Sequence, residues 1–115
     1  MIARWLLAFV WTLALELPIY THWLRGSMRS GWALCGLVLA VNAISHPLLW
    51  FAMPRLTPYP LYLAVGETGV VILEALIIAA VLRGRPRALG LAFTASLTAN
   101  AFSTAIGLLV MPLFA

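Results

Sequence analysis

The chain has 115 residues, of which 64% are hydrophobic and 9% charged, with a net charge of +4 and a mean hydropathy of +1.06. A soluble domain of this size has no interior large enough for so much apolar surface, so the sequence implies that the bilayer is the solvent. The basic balance does not point to nucleic acid: all seven positive charges are arginines, Lys, Asp and Gln are absent, and the arginines fall in the breaks between apolar runs, as topology signals and anionic-lipid contacts do.

Four apolar segments follow one another. The first spans about residues 4–24. It opens with Arg4, but Glu16 and Pro18 interrupt it and no small-x-small cleavage site follows, so a retained helix is expected rather than a signal peptide. The second, about residues 31–53, contains the single cysteine, Cys35. A lone thiol forms no internal disulfide and no thiolate metal site, and it reads as a small packing residue. The third covers about residues 61–82 and the fourth about 89–113. Each has roughly 20 residues or more, enough to cross about 30 Å of hydrocarbon. The connectors at 25–30, 54–60 and 83–87 are short. The expectation is an all-α, polytopic membrane protein: one domain, 1–115, with four transmembrane helices running up-down-up-down.

The first and third connectors carry Arg25, Arg29, Arg83, Arg85 and Arg87, whereas the other side has only Arg4 and Arg55. This bias predicts those connectors in the cytoplasm and both termini outside, with a bacterial inner membrane as the expected location. Trp5, Trp50, Tyr59 and Tyr62 then fall at the outer interface, with Trp23 and Trp32 at the inner one, as an aromatic belt; His22, beside Trp23, reads as an interfacial anchor.

Displacing the chain by 58 positions superposes its rarest residues without a gap. Glu16 falls on Glu74, Arg25-Gly26 on Arg83-Gly84 and Arg29 on Arg87; Asn42-Ala43-x-Ser45 falls on Asn100-Ala101-x-Ser103, and Met53-Pro54 on Met111-Pro112. Chance Leu and Ala matches are common in apolar sequence, but these are not. The pattern predicts two tandem-duplicated helical hairpins, residues 1–57 and 59–115, related by a pseudo-two-fold axis along the membrane normal.

Every carboxylate in the chain lies within an apolar segment. Such groups are costly in hydrocarbon and face the bundle interior. Glu67 and Glu74 are two helical turns apart on one face. Placing residues by helical rise gives two polar layers: Glu16, Asn42, Glu74 and Asn100 within about 3 Å of the midplane, and His46 with Glu67 about 6–8 Å toward the outside. The outer layer breaks the repeat, because His46 corresponds to Thr104 and Glu67 to Phe9. Ala92, Ser96, Asn100 and Thr104 form a small-polar stripe suited to close packing, and Gly66 and Gly69 are expected to admit another backbone beside Glu67. Pro18 and Pro47 each remove a backbone donor and free a carbonyl.

Glu–Asn pairs across a bundle can simply fix helix register, with the glutamate protonated, and Ser45 and Ser103 read as packing residues. The functional alternative favoured by buried carboxyls and an imidazole is cation- or proton-coupled transport or conduction. In that case His46, Glu67 and Glu74 are candidate ligands for a divalent cation. A four-helix chain is small for a pore, so a homo-oligomer or a place in a larger membrane complex is expected. The competing expectations are an intramembrane enzyme acting on a lipid or isoprenoid, with His46 and Glu67 as acid and base, and an accessory subunit of a larger membrane complex whose polar core serves specificity. The layout resembles other small four-helix membrane proteins, including multidrug exporters with a glutamate in the first helix. None carries Glu-x-Pro, Asn-x-x-x-His-Pro, Glu-x6-Glu and Asn-Ala-x-Ser together, and no family is assigned on this basis.

Overall fold

The computed structural model describes residues 1–114, with side chains described for residues 1–110. Among them the only regular structure is helical: α1 (Ile2–Leu24), α2 (Gly31–Pro47) continued by a π-helical turn (Leu48–Ala52), α3 (Tyr59–Val81) and α4 (Ala88–Phe114). Four helices are long and apolar enough to cross a membrane. Each packs on its neighbour in sequence, and α4 closes the ring against α1. The molecule measures 42 × 23 × 22 Å, and its long dimension matches a bilayer with its headgroup layers, about 40–45 Å. The α1–α2 and α3–α4 turns meet at one end, the arginine-rich end, where Ser27, Arg29 and Arg85 border one cavity. The start of α1 meets the π-helical turn at the other, where Trp5 packs on Phe51. The expected match of Met111-Pro112 to Met53-Pro54 lies outside the residues whose side chains are described, and Ala115 lies outside the described residues altogether.

Local chemistry accounts for the helix boundaries. α2 starts where the Ser30 hydroxyl accepts the Ala33 N–H at 3.1 Å, satisfying one of the donors a helix start leaves free. α3 begins at Tyr59, two residues before the start expected from sequence, with Pro60 inside its first turn. Proline fits there because the first turn has no use for its missing N–H. The α3–α4 turn passes through Gly84 at φ 86°, a conformation glycine adopts without steric cost.

The π-helical turn follows from prolines at both of its ends. Pro47 offers no N–H to the turn before it. The Met53 N–H then bonds to the Leu48 carbonyl at 2.9 Å, five residues back, instead of to Leu49. Pro54, the next residue that could serve Leu49, also lacks an N–H. The Leu49 carbonyl is satisfied instead by the Tyr62 hydroxyl of α3, at 2.9 Å.

Lipid tails are as apolar as leucine, so close packing and interhelical hydrogen bonds hold such a bundle. The buried faces follow this logic. α1 contributes a narrow seam, Glu16, Tyr20 and Leu24, at a spacing of four residues. α4 presents Ala92, Ala95, Ser96, Ala99 and Asn100, small enough for α1 and α3 to approach closely. The interior is layered. Leu24, Leu34, Leu37, Ile78 and Leu82 close it near the arginine-rich end, and polar side chains occupy the middle.

Gly66 is buried, but not under another backbone. A Cβ there would stand 2.5 Å from Leu49 Cδ1 and 3.0 Å from the Met53 sulfur, so the π-helical turn packs onto it with side chains. Gly69 has nothing within 4 Å of such a Cβ, so the expected backbone approach does not occur there either. Gly66→Val is therefore expected to destabilise the protein in detergent by about 1–3 kcal/mol, as overpacking does. Gly69→Val is expected to leave the thermal midpoint close to that of the wild type.

Candidate functional site

The inner polar layer forms around Glu74. This carboxyl is fully buried on α3 and accepts hydrogen bonds from the other three helices. Tyr20 of α1 donates to Oε2, Asn100 of α4 donates to the same oxygen at 3.0 Å, and Ser45 of α2 donates to Oε1 at 2.5 Å. The second amide hydrogen of Asn100 goes to the Ser96 carbonyl at 2.9 Å. The Ser96 hydroxyl crosses to the Val71 carbonyl of α3 at 2.8 Å. Both oxygens of Glu74 are thus occupied by donors.

Glu16 is equally buried but less well served. Ser103 donates to its Oε1 at 2.8 Å, and the Asn42 amide stands beside the carboxyl while donating to the Val38 carbonyl at 3.1 Å. Oε2 has no partner. Glu16 and Glu74 are close enough to act on each other electrostatically. The four inner-layer residues expected from sequence therefore do converge: Glu16, Asn42, Glu74 and Asn100 are 0%, 1%, 0% and 4% exposed.

The outer layer does not form as expected. His46 is enclosed by aromatic rings: Phe9 edge-on at 5.5 Å, Trp50 stacked at 6.0 Å and Trp5 tilted at 6.3 Å. Its Nε2 lies 3.4 Å from the Thr12 hydroxyl, and its Nδ1 is buried without a partner. Glu67 is half-buried on α3 beside Thr104 of α4. His46 and Glu67 thus belong to separate helix pairs. The expected metal set of His46, Glu67 and Glu74 does not assemble: no three His, Cys, Asp or Glu side chains come together among the described residues. The physical reason is lateral. Helical rise placed the two at one depth, but depth leaves open which neighbour each faces around the ring.

Five side chains take roles at the site beyond those expected from sequence. Tyr20 follows Glu16 by four residues and shares its face, a spacing that could have flagged it. Ser45 and Ser103, expected to be packing residues, are the hydroxyls that reach the two carboxyls. Trp5 and Trp50, read as belt residues only, also pack on His46. His22 is exposed and edge-on to Trp23 at 5.3 Å, as an interfacial anchor would be.

Positions 58 apart make corresponding contacts. Ser45 reaches Glu74, and Ser103 reaches Glu16. Asn42 lies beside Glu16, and Asn100 bonds Glu74. Phe9 touches His46, and Glu67 touches Thr104.

No protein-family model matches the chain, and no curated protein or solved structure is significantly similar to it.

Interhelical hydrogen bonds in bilayers contribute about 0.6 kcal/mol on average and up to about 1.7 kcal/mol. Tyr20→Phe is expected to cost an amount in that range, read from reversible unfolding in detergent. Glu74→Leu, which strands three donors, should cost several times more than Glu16→Leu, which strands one hydroxyl.

Proposed function

We propose that this chain is a small multi-pass membrane protein that carries protons, alone or coupled to a cargo, through a site formed by Glu16 and Glu74. The observation that supports this reading is the inequality of the two buried carboxyls. Glu74 is surrounded by three donors, the environment that favours an ionised carboxylate. Glu16 leaves one oxygen without a partner, which costs less for a neutral carboxyl than for a charged one. Glu16 is thus the carboxyl suited to hold a proton, and Glu74 the one whose oxygens are already occupied by donors. Ser103, bonded to Glu16, and Thr104, beside Glu67, are hydroxyls that can accept and donate at once. They mark a route from the half-exposed Glu67 inward to Glu16. Toward the arginine-rich end the apolar layer at Leu24, Leu34 and Leu82 closes the interior, so release on that side requires the helices to part.

The proposal includes the finer architecture. Two duplicated hairpins are supported by the matching residues at a separation of 58 and by the corresponding contacts that those positions make. The arginine bias supports a cytoplasmic arginine-rich end with both termini outside, in a bacterial inner membrane. The small size of the bundle supports a homo-oligomer or a larger membrane complex. A proton is favoured over a divalent cation because three titratable ligands do not converge among the described residues.

A second reading has one observation in its favour. Ser45, hydrogen-bonded to Glu74, borders a cleft of about 160 Å³ between the π-helical turn and α3, lined by Leu48, Val65 and Leu73. A serine bonded to a carboxyl at an apolar cleft suits an intramembrane enzyme acting on a lipid. The volume falls below the roughly 300–1,000 Å³ usual for a ligand site, and this favours proton movement.

In proteoliposomes loaded with a pH-sensitive dye, the wild-type protein is expected to dissipate a pH gradient. Glu16→Gln and Glu74→Gln, which keep the shape of the side chain but cannot titrate, are expected to fall to the rate of empty liposomes while eluting as folded protein. Equal flux through both variants and wild type would remove the proposal. Lipid turnover lost in Ser45→Ala would replace it with the enzyme reading.

A further inference from the structure

We propose that a notch at the arginine-rich end binds the phosphate headgroup of an anionic membrane phospholipid. The notch encloses about 460 Å³ between the α1–α2 turn, the first turns of α2 and the end of α3. Two arginines border it from separate connectors, Arg29 from the α1–α2 turn and Arg85 from the α3–α4 turn, together with Ser27. Its remaining wall includes Leu37, Val81 and Leu82. One cavity thus offers two guanidinium forks and a hydroxyl beside an apolar surface.

The chemistry of the end selects the occupant. Every acidic side chain of the protein lies within a membrane-spanning helix, so the arginines of this end have no carboxylate partner on the connectors. Guanidinium groups recognise phosphate oxygens in paired, planar geometry. The start of α2 adds the positive end of a helix dipole beside the same space. A free anion would satisfy the arginines but leave the apolar wall bare. Val81, on that wall, is 53% exposed and continues onto the lipid-facing side of α3. A phospholipid fits both parts: its phosphate lies between Arg29 and Arg85, and its chains run down past Val81. Its depth agrees, because connectors that follow the ends of spanning helices lie at headgroup level.

A diffuse positive surface would also attract anionic lipid, and the test separates the two. Arg25 and Arg83 lie at the same end but do not border the notch. The full chain in neutral detergent is titrated with phosphatidylglycerol, with phosphatidylcholine, and with inorganic phosphate alone. Bound lipid is counted by native mass spectrometry, and protection is read from the thermal midpoint. Arg29→Gln and Arg85→Gln are each expected to weaken phosphatidylglycerol binding about fivefold, and the pair by more than either alone. Arg25→Gln and Arg83→Gln are expected to change it by less than twofold, and phosphatidylcholine to bind far more weakly. All four variants alter exposed connector residues, so each serves as a folding control for the others. Equal losses across the four would overturn the site in favour of diffuse attraction. Protection by inorganic phosphate equal to that of the lipid would overturn the lipid as occupant.

Discussion

The bundle is organised around one carboxyl. Glu74 sits on α3 with no exposure and collects donors from α1, α2 and α4. In a bilayer the leucines and valines of the interior gain little by facing one another rather than lipid, so directional contacts decide which helix faces meet. A group that bonds to all three neighbours fixes their rotation and their depth together. The small residues of α4 follow from this constraint, because Asn100 reaches Glu74 only if the two helices approach closely.

The same constraint shapes the rest of the polar interior. Glu16 occupies the corresponding position on α1, but no counterpart of Tyr20 reaches it, because the matching residue on α3 is Ile78. That difference, together with an Asn42 amide that donates to the Val38 carbonyl where Asn100 donates to Glu74, leaves one carboxyl saturated and the other with an oxygen free. Nearer the termini the two helix pairs diverge more. One encloses His46 in aromatic rings, and the other places Glu67 beside Thr104. The two pairs therefore offer different surroundings to a proton at the same depth, one apolar and one lined with hydroxyls.

Much of this was legible in the sequence. The spans follow from runs of apolar residues bounded by Arg, Gly and Pro, and the structure shifts the start of α3 only because a proline is harmless in a first turn. The inner layer was legible because Glu and Asn are so rare here that helical rise alone brings them to one level. Rise gives depth and not azimuth, which is why His46 and Glu67 share a level by that measure and yet do not pair. Tyr20, Ser45 and Ser103 were obscured for another reason: Tyr and Ser are at home at interfaces and in packing seams, and only their direction shows that they serve the carboxyls. The π-helical turn needed the joint effect of Pro47 and Pro54, which stand seven residues apart and each withhold a backbone donor from the same stretch.

The division of roles between the two glutamates can be read directly from the protonated-carboxyl C=O stretching band in the infrared spectrum of the reconstituted protein. If Glu16 carries the proton and Glu74 the charge, Glu16→Gln removes a band from the buried, protonated region and Glu74→Gln leaves that band in place. A band lost in Glu74→Gln and retained in Glu16→Gln, or a spectrum that neither substitution changes, would contradict the assignment on which the proposed proton path rests.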